Sequence, residues 1–126
     1  MKFLQIWREP LSSSNGCTDV KFIFEGLDAK LILMFYDKEY LTIHFKHVVA
    51  YKHEENYLFL PNTTDFGLLE IVDSEWVNKI VKTLKELGKY DSYKDIKHFI
   101  YDNHNDGRFE VIAESCDITE HFALNN

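Results

Sequence analysis

Six histidines, two cysteines and a run of three serines are the side chains of this sequence best suited to chemistry. Neutral imidazole is the commonest protein ligand for zinc and related ions, but the histidine spacing does not assemble a ligand set. His44 and His47 differ in strand parity and fall on opposite faces of a regular strand unless a bulge intervenes. His53, His98, His104 and His121 occupy separate turns or strands, and the chain has no CxxC pair. Neither a metal nor a cofactor is expected.

Nucleophilic chemistry finds equally little support. Cys17 follows Gly16 in a loop, and Cys116 sits near Glu114 and Asp117, whose charge raises a thiol pKa and disfavours thiolate. With no secretory signal, the default for both is a reduced thiol in a cytoplasmic protein. Ser12 to Ser14 stand in a loop with no histidine in a recognisable setting. The run Asp102-Asn103-His104-Asn105-Asp106-Gly107 imitates the start of an EF-hand calcium loop, yet its third position is His104 and its twelfth is Ala113, where a bidentate glutamate is required. It reads better as a hairpin turn, with Asp106-Gly107 at the bend. No catalytic residue is assigned, and the expectation is a protein that is not an enzyme.

Charge narrows the partner. Fourteen basic against twenty-one acidic residues give a net charge of −7, which repels phosphate backbones and anionic lipid and attracts basic surfaces. The phosphate-cradling glycine motifs are missing from the sequence. Direct nucleic-acid binding and membrane insertion are therefore not expected, since no apolar run approaches the length a spanning helix needs.

The elements that must position any site are mainly strands. VKFIFEG alternates Val20, Phe22 and Phe24 against Lys21, Ile23 and Glu25, the pattern of a strand with one buried face. Leu31 to Tyr36 is apolar on both faces and reads as a central strand. Tyr40 to Lys52 alternates until Val48 and Val49 fall side by side, which predicts a bulge near His47. Further strands are expected at Phe3 to Trp7, Tyr57 to Leu60, Phe66 to Val72, Ile96 to Tyr101, Phe109 to Ala113 and Ile118 to Phe122, with Pro10 and Pro61 limiting edges.

Between Asp73 and Leu87 the apolar period changes to that of a helix. Trp76, Val77, Ile80, Val81, Leu84 and Leu87 form its apolar face, Asp73 or Ser74 its cap and Gly88 its left-handed stop. The fold class is α+β: one domain spanning residues 1–126, with a mainly antiparallel, curved sheet or partial barrel and one amphipathic helix, about 74–87, packed against it.

Phe45-Lys46-His47-Val48-Val49-Ala50-Tyr51 with Glu54, Glu70-Ile71-Val72-Asp73-Ser74-Glu75-Trp76, His98-Phe99-Ile100-Tyr101 and Glu110-Val111-Ile112-Ala113 together resemble a group of small bacterial proteins. Some of that kind are encoded beside secreted polymorphic toxins and act as immunity proteins. The resemblance covers roughly residues 20–115 and carries over no catalytic residue. It implies binding to a protein partner, and a basic toxin suits an acidic chain by electrostatic steering. The partner-binding candidates are Glu54, Glu55, Asp65, Glu70, Asp73 and Glu75, although Asp73 and Glu75 would also favour any helix N-terminus. The alternative is a small-molecule-binding barrel or small enzyme with a pocket lined by Phe22, Phe24, Phe35, Phe45 and Tyr51. A homodimer through a sheet edge is also compatible with the pattern.

Overall fold

The computed structural model describes residues 2–8, 17–36, 38–54, 67–93, 95–103 and 107–121. Its strands are β1 (Phe3–Arg8), β2 (Cys17–Glu25), β3 (Asp28–Phe35), β4 (Lys38–Glu54), β5 (Gly67–Ile71), β6 (Lys97–Asn103) and β7 (Gly107–Glu120). Among the described residues one α-helix, α1 (Glu75–Glu86), separates β5 from β6 and is followed by a 3-10 turn, Tyr90–Ser92.

All seven strands form one antiparallel sheet in the order β1-β5-β6-β7-β4-β3-β2. It remains open, because β1 and β2 end the order without pairing to each other. It is nonetheless strongly curved. Phe22 on edge strand β2 reaches across the inner face to Phe109 on β7, with ring centroids 6.1 Å apart.

Alternation builds the inner face. Leu31 and Leu33 of β3, Leu41, Ile43 and Phe45 of β4, Phe99 and Tyr101 of β6, and Phe109 and Val111 of β7 are all buried in one cluster. Trp7, Val20, Phe22 and Phe35 close around it. The aromatic residues Phe22, Phe24, Phe45 and Tyr51 pack on one another, while Phe35 joins Tyr36 and Tyr40 instead.

The bulge expected near His47 is present. His47 adopts φ 54, and the register of β4 against β7 shifts between Val48 and Ala50. That shift lets one 17-residue strand bend through the sheet without breaking. Two expectations are corrected. β3 is the second strand from the edge and not central, although Leu31, Ile32 and Leu33 are all buried. The two strands foreseen at Phe109 to Ala113 and Ile118 to Phe122 are one, β7, since the polar stretch between them continues to pair with β4, as in Ser115 opposite Lys46. The segment Tyr57 to Leu60, with Pro10 and Pro61, lies outside the described residues.

Helix α1 forms where its period predicts. Ser74 caps it with φ −65 and ψ 119, its Oγ accepting the Val77 N–H at 3.1 Å. At the other end Lys89 N–H donates to Leu84 and Gly88 N–H to Lys85, with Gly88 at φ 70, a left-handed stop that glycine adopts without steric cost. Leu84 packs with Ile96 and Ile112 on the outer face of the sheet, joined by Trp76, Val77, Ile80 and Val81. Leu87, expected on that apolar face, is 62% exposed as the C-cap, with Gly88 turning left-handed immediately after it.

Candidate functional site

The outer face beneath the start of α1 holds three polar side chains where the surroundings are apolar. Ser74, His98 and Glu110 are 6%, 5% and 7% exposed. Alternation explains their placement: in His98-Phe99-Ile100-Tyr101, Phe99 and Tyr101 face inward, so His98 and Ile100 face the helix. Glu110 stands opposite Ile100 in the neighbouring strand, one step diagonally from His98. Ser74 arrives from above as the cap of α1.

The three are linked in series. Ser74 Oγ lies 2.7 Å from His98 Nδ1, and His98 Nε2 lies 2.8 Å from Glu110 Oε1. Since Ser74 Oγ already accepts the Val77 N–H, its own hydrogen is free to go to Nδ1. Nε2–H then donates to the carboxylate. The Lys52 ammonium lies 3.4 Å from Glu110 Oε2 and 5.2 Å from the centre of the Trp76 ring, which stands edge-on to His98 at 5.3 Å.

Electrostatics keeps the acid of this series ionised. Burial acts to raise the Glu110 pKa. The hydrogen bond from His98, with the charges of Lys52 and Arg108, outweighs it and holds the carboxyl below its ordinary value of 4.5. A cleft of about 360 Å3, lined by Ile71, Asp73, Ser74, Glu75, Trp76 and His98, opens in front of the serine and the imidazole.

The candidates named from sequence are placed as follows. Asp73 and Glu75 flank this cleft, and the Lys2 backbone N–H bound to Asp73 Oδ1 at 2.7 Å holds its pKa below the usual range. Glu54 lies on the same outer face, 3.7 Å from Lys52 and 3.6 Å from Arg108. Glu70 is on the opposite, inner-facing side, where it is half-buried beside Phe99 in the register. Glu55 and Asp65 lie outside the described residues. The structure therefore brings Asp73 and Glu75 together, sets Glu54 on their face, and separates Glu70 from all three.

Elsewhere, a cleft of about 390 Å3 runs over Glu25, Asp28, Lys30, His44, Lys46 and Asp117. Its charges answer one another: Lys30 pairs with Glu25 at 2.7 Å, and Asp28 accepts the His47 N–H at 2.9 Å. Among the described residues no group of three or more metal-ligating side chains is placed to hold an ion. No helix among them is long and apolar enough to cross a membrane. His47 Nδ1 is 2.9 Å from Glu114 Oε1, and His53 stacks on Phe109. Cys116 is a free thiol whose pKa is pushed up to about 11 by burial first, then by Asp117 and Glu70, against Lys97. Glu70 thus takes the part the sequence assigned to Glu114.

The Ser74–His98–Glu110 series escaped the sequence reading, which used Ser74 only as a cap. A signal existed. Glu110 is a single polar residue in an apolar strand run and His98 borders another, and a buried polar group needs a partner. Compared with protein-family models, curated proteins and solved structures, the chain matches none.

Proposed function

We propose that the chain is a protein-binding module that docks a basic partner on its helix-bearing face, and that a toxin neutralised by an immunity protein is the partner class that fits best. The packing of the inner face is the observation that carries this reading. Among the described residues Leu31, Leu33, Leu41, Ile43, Phe45 and Val111 are at most 2% exposed, which favours recognition on the outer surface.

On that surface Asp73 and Glu75 are exposed carboxylates beside half-buried Trp76, with Glu54 on the same face. An aromatic side chain ringed by charge is a common centre of binding energy at protein interfaces, and acidic groups around it favour association with a positive surface. Such a function requires no chemical step.

The test is capture of partners from the native cell by the immobilised full chain at low and high salt, repeated with Asp73→Lys/Glu75→Lys. The expected result is one basic protein, retained at low salt, released at high salt and lost in the charge-reversed variant. A partner held equally well by the variant, or an acidic one, would exclude this face as the docking surface.

A further inference from the structure

Beyond docking, we propose that Ser74 is an acyl-accepting nucleophile, with His98 as its general base and Glu110 positioning that base, and that the cleft before it admits small neutral or cationic esters. The series of contacts has the order that nucleophilic catalysis requires: hydroxyl to imidazole at 2.7 Å, imidazole to carboxylate at 2.8 Å. A helix cap alone explains little of this. Capping needs only the serine oxygen, whereas burying an imidazole and a carboxylate behind it carries a desolvation cost that two apolar residues would avoid.

The surroundings supply the remaining parts. The Val77 N–H on Ser74 Oγ, at 3.1 Å, stabilises that oxygen as its proton leaves. The N–H groups of Glu75 and Trp76 begin the helix and have no preceding carbonyl within it, so they are donors for an oxyanion. Ile71 and Trp76 give the cleft apolar wall, and its volume of about 360 Å3 suits a short acyl chain. Asp73 and Glu75 at its rim repel anions.

In the first step Ser74 Oγ forms a bond to the ester carbonyl carbon as its proton passes to His98 Nδ1. Collapse breaks the carbon–oxygen bond to the leaving alkoxide, which takes that proton and departs as an alcohol. Water then attacks the acyl-serine, its proton moving through His98 to Ser74 Oγ, and the carboxylic acid leaves.

The full-length chain is incubated with an uncharged short-chain fluorophosphonate, and the adduct is located by intact mass and peptide mapping. A single adduct on Ser74 is expected, absent in Ser74→Ala and formed about 100-fold or more slowly in His98→Gln. No adduct on the wild-type chain, an adduct elsewhere, or equally fast labelling of the urea-unfolded chain overturns the proposal. The wild-type result decides this even where a variant misfolds. An acetate ester bearing a trimethylammonium group is expected to be hydrolysed faster than its sulfonate analogue, and equal or reversed rates overturn the substrate assignment.

Discussion

The ring of Phe22 on edge strand β2 stacks on that of Tyr51 on β4, with centroids 5.0 Å apart and planes 15° from parallel. Two strands intervene in the hydrogen-bonded order between β2 and β7, so only curvature brings Phe22 onto Phe109 as well. This one side chain therefore ties an edge of the sheet to its middle. Phe22→Ala is expected to destabilise the fold by about 2–4 kcal/mol, since it removes a large ring from a partly buried aromatic cluster. Urea denaturation measures this, and a loss below about 0.5 kcal/mol, the range of an ordinary surface substitution, would contradict it.

Ser74→Ala removes the cap of α1 and leaves His98 Nδ1 without its hydroxyl partner. The expected cost is about 1–3 kcal/mol, from the lost cap and from a buried polar atom left unsatisfied. Denaturation of the variant checks the sum. Ser74→Thr, which restores a hydroxyl, is expected to recover part of it.

Glu110 makes stability depend on acid. Its folded pKa lies below the ordinary 4.5, so the unfolded chain binds a proton more readily than the native one. The sign follows: the contribution is complete above the unfolded value and is lost as pH falls through the lower, folded value. Glu110→Gln is expected to flatten this part of the stability curve below pH 4.5. Thermal melts of both chains across that range measure it, and parallel curves would count against the assignment.

Cys116 should resist alkylation at neutral pH. A thiol at about 11 instead of 9.0 carries roughly 100-fold less thiolate. Iodoacetamide labelling followed by peptide mapping should show Cys116 reacting far more slowly in the folded chain than after unfolding in urea. Similar rates in the two states would refute the shift.

How far the sequence revealed this molecule depended on whether a feature is local. The helix with its stop at Gly88 and the β4 bulge at His47 are set by neighbouring residues, and both were legible. Strand order and inner or outer facing depend on pairing between distant segments. Glu70 and Asp73 are near neighbours in sequence, yet Glu70 faces the inner side of the sheet while Asp73 sits in the turn before α1. Their separation could not be read from spacing. The Ser74–His98–Glu110 series failed to show for the same reason: it joins a helix cap to two strands whose register the sequence does not state.

The long ladder of β4 on β7 also has a kinetic meaning. It runs from Leu41 opposite Glu120 to Glu54 opposite Arg108, and Thr42 meets His121 across 79 positions of chain. Little of the sheet's middle can be held before loop closure brings these far segments together, a topology that slows folding relative to one built from local contacts. The same ladder makes closure of the β4–β7 register the step on which the cover of Leu41, Ile43 and Phe45 by Val111 and Ala113 depends.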